Sequence, residues 1–109
     1  MIDEREVSKL VELGFVFEQS DFDNLFWRLI FNRNSFEIAL SWSIPESSCQ
    51  ISLKRENDEI CAICFEGLDS IEVIEQKITI ISKYVECESI VELIVSEKPS
   101  IKFDSIRTT

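Results

Sequence analysis

The chain contains no histidine. That removes the commonest general base, the usual partner of a serine or cysteine nucleophile and the commonest metal ligand, so a hydrolytic triad in its ordinary form is excluded. Glycine and proline are scarce, with two of each. The glycines stand alone at positions 14 and 67, so there is no glycine-rich phosphate loop, and without repeats or low-complexity tracts nothing marks a linker. No apolar run approaches the ~20 residues of a membrane-spanning helix. The opening MIDEREVSKL is charged from its third residue and lacks the apolar stretch of a signal peptide, which predicts a soluble, cytoplasmic protein. Bases are outnumbered as well: eleven Lys and Arg stand against 21 Asp and Glu, for a net charge of −10.

What is present is apolar surface. Of 109 residues 45% are hydrophobic, including eight Phe, two Trp and one Tyr. A chain of that length and composition buries about two thirds of its unfolded surface and is expected to fold as a single domain, 1–109. Its strongest local signal is the stretch 24–43, NLFWRLIFNRNSFEIALSWS, in which two aromatic and β-branched runs flank Asn32-Arg33-Asn34-Ser35 and predict a β-hairpin. Reversal about Arg33 and Asn34 sets Phe31 against Phe36, Leu29 against Ile38, Trp27 against Leu40 and Leu25 against Trp42 on one apolar face. The opposite face, with Phe26, Arg28, Ile30, Glu37, Ala39, Ser41 and Ser43, is mixed.

Upstream, Asp3 to Leu13 reads as a short helix presenting Val7, Leu10, Val11 and Ile2, with Gly14 at its C-cap. Residues 15–18 read as a first strand and 19–23 (QSDFD) as a turn, leaving Phe22 to fold over the core edge or meet a partner. Downstream, Cys49, Ile51 and Leu53 alternate with polar residues, and EICAICF (59–65) returns after a turn at 56–58. This pairing sets Leu53 against Ile60, Ile51 against Ala62 and Cys49 against Cys64. In the stretch 70–85, Ile71, Ile74, Ile78, Ile81 and Val85 recur at spacings of 3, 4, 3 and 4, preceded by Asp69 and Glu72 in capping-box positions. That pattern predicts the main helix, with Val73, Lys77, Ile80 and Tyr84 as a second stripe. Residues 89–95 (SIVELIV) fit both helix and strand, and 100–106 alternates as a last strand. The expected fold class is α+β: one antiparallel sheet of about five strands around the hairpin 24–43, with the N-terminal helix and the main helix 70–85 packed on it.

Few constellations carry chemistry. Carboxylate pairs such as Glu72 with Glu75 arise by chance in so acidic a chain and read as solvated surface. An oxygen site for Mg²⁺ or Ca²⁺ stays open, although EF-hand spacing is absent. Cys61-Ala62-Ile63-Cys64 is a C-x-x-C, but within a strand its thiols point to opposite faces, unlike the tight turn of a zinc site or the helix start of a thioredoxin motif. With Cys49 and Cys87 these read as ordinary reduced cysteines, and no cofactor is expected.

The acid excess is regional. Residues 1–55 carry nine acids and six bases (net −3), 56–97 eleven acids and two bases (net −9), and 98–109 one acid and three bases (net +2). Such a field repels nucleic acid and anionic membrane and speeds encounter with a basic protein. The expected partner-binding residues are Glu56, Asp58, Glu59, Glu66, Asp69, Glu72, Glu75, Glu86 and Glu88, with aromatic anchors at the centre. In length, acidity and lack of a catalytic set the chain resembles the small immunity proteins of bacterial polymorphic toxins, such as those of contact-dependent growth inhibition. The resemblance implies a non-enzymatic cytoplasmic inhibitor that occludes the active or substrate-binding surface of a toxin domain, frequently a nuclease. Two other readings stand beside it: an adaptor, subunit or nucleic-acid mimic, and a small enzyme using carboxylates or Cys in a pocket between helix and sheet.

Overall fold

The computed structural model describes residues 4–21, 26–44 and 47–107. Its first element is α1 (Glu4–Leu13). Gly14, at φ 115°, ends it: the Gly14 N–H donates to the Val11 carbonyl (3.0 Å) and the Phe15 N–H to the Leu10 carbonyl (3.1 Å). This is the Schellman arrangement, and its usual apolar contact is supplied by Leu10 and Phe15, both fully buried. Val7 and Leu13 join the core, whereas Val11, expected on the same face, is exposed. Ile2, Phe22 and Leu25 lie outside the described residues.

Nine strands follow. The five-stranded sheet runs in chain order: β1 (Val16–Asp21), β2 (Phe26–Arg33), β3 (Phe36–Ser43), β4 (Ser48–Arg55) and β5 (Asp58–Glu66). β1 therefore continues through the residues expected as a turn after position 18. In the β2–β3 hairpin the two-residue turn is Asn34-Ser35, both with positive φ, as a type I′ turn requires. The register is Trp27↔Trp42, Leu29↔Leu40 and Phe31↔Ile38, two residues away from the expected pairing. Because side chains alternate with period two, that slip leaves the inward set unchanged, and Trp27 stacks on Trp42 with ring centroids 5.7 Å apart.

At β4–β5 a single-residue difference has the opposite effect. The turn is Glu56-Asn57 and the ladder opens with Arg55↔Asp58 and Lys54↔Glu59 as expected, but a bulge at Ile60 shifts the rest to Leu53↔Cys61 and Ile51↔Ile63. Cys61 and Ile63 thus pack inward, while Ile60, Ala62 and Cys64 are exposed.

The largest correction concerns 69–85, which forms no helix. It is a second hairpin, β6 (Leu68–Ile74) and β7 (Lys77–Tyr84), which with β8 (Cys87–Ile94) and β9 (Ser100–Arg107) makes a four-stranded antiparallel sheet in chain order. The fold is mostly β, two antiparallel sheets with one short helix, rather than α+β with one sheet. Eight of the 17 residues from 69 to 85 are Ile, Val or Thr. Their stiff χ1 angles suit a pleated surface, and the pattern that decides is Ile71, Val73, then Ile78, Ile80, Ser82: two alternating runs broken at Glu75-Gln76. All five are buried. The undecided stretch 89–95 is strand through Ile94, with Val91 and Leu93 buried on the inner face and Val95, just past the strand, buried as well.

Inner faces of both sheets merge into one core, Leu29, Ile38, Leu40, Trp42 and Ile51 from one side and Ile71, Val73, Ile78, Ile80, Val91 and Leu93 from the other. Gly67 joins the sheets. Its φ is 74°, its carbonyl accepts the Lys83 N–H at 2.7 Å, and the next residue, Leu68, donates its N–H to the Ser47 carbonyl at 2.9 Å. A Cβ built on Gly67 would sit 2.1 Å from the Lys83 carbonyl oxygen. Along the β6 edge lies α1, where the Glu6 carboxylate accepts the Val73 N–H at 2.7 Å.

Candidate partner-binding surface

The fold divides the nine expected acids into three places. Glu56, Asp58 and Glu59 sit at and beside the β4–β5 turn, next to the β2–β3 turn, whose Ser35 carbonyl accepts the Glu56 N–H at 2.9 Å. Glu72 points outward from β6 and Glu75 forms the β6–β7 turn. Glu66, Asp69, Glu86 and Glu88 gather around the Gly67 junction at the other end of the molecule. β5 separates that end from the first group by eight residues, about 26 Å at strand rise. The nine therefore do not form one patch, and the helix that was to display Glu72 and Glu75 does not exist.

All three places set an exposed apolar side chain beside acids, Ile60 at the β4–β5 turn, Ile74 at the β6–β7 turn and Tyr84 with Val85 at the junction, where alone it is an aromatic. Glu66 precedes Gly67, Asp69 approaches Lys83 at 3.8 Å, Glu88 faces Lys83 across the β7–β8 ladder, and Glu86 completes the turn. Two of the acids, Asp69 and Glu88, thus stand beside Lys83, and the Asp69–Lys83 pair is exposed enough to contribute little to stability. Between them stand two apolar side chains, Tyr84 at 58% exposed and Val85 at 86%. Val85 is also held at φ 58°. A β-branched residue in the left-handed region costs about 1–2 kcal/mol, and such strain is concentrated where function requires a particular side chain. Tyr84 appeared in the sequence as part of a helical stripe with Val73, Lys77 and Ile80; Val73 and Ile80 are buried, while Lys77 and Tyr84 reach the surface. Val85 carried no signal beyond its apolar character, since nothing in Tyr-Val-Glu-Cys reads as a turn.

The cysteines behave as their strand positions dictate. Cys61 and Cys64 are on opposite faces, one packed against the core and the other exposed, and Cys87 is exposed. Cys49 is buried beneath the sheet, and burial, with a smaller contribution from Cys64, pushes its thiol up to about 12. It is neutral and unreactive in the folded protein at neutral pH. No set of three or more Cys, Asp or Glu able to hold a metal ion occurs among the described residues. The pocket expected between main helix and sheet disappears with that helix. A groove of about 600 Å³ between α1 and the β6–β7 turn remains, lined by Lys9, Glu12, Leu13, Val73, Ile74, Glu75 and Gln76. No helix among the described residues is long and apolar enough to cross a membrane.

No protein-family model and no curated protein matches the chain. Its fold, however, is similar to a chain of a solved structure, the contact-dependent growth inhibition toxin–immunity protein complex from Klebsiella pneumoniae 342. The TM-score is 0.74, the identity 19%, and the match covers 93% of each chain.

Proposed function

We propose that this protein is a cytoplasmic immunity protein, which binds a basic toxin domain and blocks its active or substrate-binding surface. The observation that carries this reading is the match of fold over 93% of both chains with a member of a toxin–immunity complex. Composition supports it independently: a net charge of −10 and a chain without histidine favour a role in binding a basic protein over catalysis. The contact surface is the junction end. Glu66, Asp69, Glu86 and Glu88 supply the field that steers a lysine- and arginine-rich surface into place, and Tyr84 with Val85 forms the desolvated centre that slows dissociation.

Co-expression with the neighbouring reading frame, followed by affinity capture, identifies the partner. Against that partner Tyr84→Ala weakens binding by about 2 kcal/mol, roughly thirtyfold, chiefly through faster dissociation. The double reversal Glu86→Lys, Glu88→Lys slows association, an effect that added salt reproduces in the wild-type protein. Reversal of Glu56, Asp58 and Glu59 at the far end leaves both rates near wild type. If that triple variant alone disrupts binding, the contact surface is the β4–β5 turn; if no basic partner is captured, the immunity reading fails.

A further inference from the structure

Two sheets have four edge strands, and three of them are blunted. β1 is short and carries a bulge between Phe17 and Gln19, where Glu18 pairs with Arg28 at 2.9 Å. The β5 edge is interrupted by the bulge at Ile60 and bounded by acids. β6 is covered by α1, whose Glu6 takes up the Val73 N–H. β9 differs from all of these. It pairs with β8 without interruption from Cys87↔Arg107 to Ile94↔Ser100, and β8 is its sole paired strand among the described residues. An eight-residue regular edge whose outer N–H and C=O groups have no strand partner among the described residues is a template for one more strand, and natural proteins rarely leave such an edge unprotected without a use for it.

The residues along β9 indicate what that strand is. Lys102 and Asp104 are exposed on the outer face with Phe103 between them, directed inward yet 49% exposed because no strand lies beyond it. Neither charge forms an ion pair within 4 Å among the described residues. Lys102 stands beside Glu92, which Lys77 already engages at 3.6 Å, and Asp104 stands beside Ile90. We infer that the β9 edge pairs with the β9 edge of a second copy, antiparallel about a two-fold axis at Phe103, joining two four-stranded sheets into one of eight.

In that register Lys102 of each copy faces Asp104 of the other, the two Phe103 rings meet at the axis, and Ser100 falls opposite Ile106. An axis perpendicular to the sheet keeps inner face with inner face, so the cores remain aligned. Of the three segments distinguished by charge above, 98–109 alone is net positive (+2), so two acidic molecules repel each other less when they meet here. The edge adjoins the junction end only at its last residues, where Ile106 and Arg107 pair with Glu88 and Cys87, and its centre at Phe103 lies away from it; the inference does not depend on the toxin reading.

The test is a charge-swap cycle read by sedimentation and light scattering over about 1 to 100 µM. Wild-type protein approaches twice its 12.7 kDa mass as concentration rises. Lys102→Asp and Asp104→Lys, each placing like charges face to face, weaken the dimer by about tenfold or more. The double variant Lys102→Asp, Asp104→Lys restores it, and an equimolar mixture of the two single variants forms a heterodimer. Circular dichroism confirms that each variant is folded. If either single variant is not, Phe103→Lys provides the repulsive substitution at the axis instead. A wild-type protein that stays at 12.7 kDa throughout overturns the inference, as does a double variant that remains monomeric. So does a monomeric wild type whose toxin capture is lost on changing Lys102 and Asp104, which would assign the edge to the partner.

Discussion

Gly67 carries more of the fold than its size suggests. Its φ of 74° disfavours any side chain, and the Lys83 carbonyl oxygen occupies the place a Cβ would take. Moving that carbonyl would also disturb the bonds that hold the sheet crossover. Gly67→Ala should therefore cost about 3 kcal/mol or more, measurable by urea denaturation, since left-handed strain and steric overlap add. Gly14→Ala is the milder control: at φ 115° its Cβ would meet only the Phe31 ring, at 3.2 Å. Cys49 makes a second residue-scale prediction. The folded thiol titrates near 12 against an ordinary value of 9.0. Folded and unfolded states are both protonated below pH 9, so its contribution is fully present there. Above pH 9 the unfolded chain loses the proton first, and stability falls by about 1.4 kcal/mol per pH unit until the folded thiol ionises near 12. Denaturation curves at pH 8 and pH 10 should show this slope in wild type relative to Cys49→Val, which lacks the ionisable group.

Among the elements, the helix is small but occupies a critical edge. By accepting the Val73 N–H, Glu6 closes a position at which β6 would otherwise offer a free donor. Glu6→Ala should cost about 1.5–3 kcal/mol in thermal or denaturant unfolding, as expected for a hydrogen bond to a charged group. Glu6→Gln, which retains an acceptor, should lose less. The elements were unevenly legible in the sequence. Asn34-Ser35 and Glu56-Asn57 include residues that tolerate positive φ, so both hairpins could be read, and Gly14 marked the end of α1. Glu75-Gln76 and Val85-Glu86 turn just as tightly without any Gly, Asn, Asp, Pro or Ser. With those breaks invisible, two short strands merged into one long stripe, and isoleucines 3 and 4 apart imitated a helix. The density of Ile, Val and Thr was the contrary sign, and it was outweighed by spacing. The same error hid the candidate surface: acids assigned to a helix face were separated by a sheet, and the exposed Tyr84-Val85 tip was taken as part of a packed stripe.

On the scale of the whole molecule, both sheets are meanders, so within each sheet every strand pairs with its neighbour in sequence, and distant segments are joined by the core between the sheets and by the α1–β6 contact. The acid excess, legible from the start, favours solubility and, in the proposed role, steers the molecule to a basic partner. How the charges are grouped was not legible, because which acids meet depends on the crossover at Gly67 and not on their order along the chain. That crossover also imposes an order in time. During synthesis the first sheet can pair as soon as β5 emerges, yet the surface that covers its inner face, with Leu29, Ile38, Leu40, Trp42 and Ile51, lies in the next 41 residues, 67 to 107. At about 5–20 residues per second the ribosome takes roughly 2–8 s to supply them. For that interval every nascent chain presents half of a finished core to solvent, so the pace of translation through the second meander, as much as the stability of the completed sandwich, governs how many chains escape aggregation.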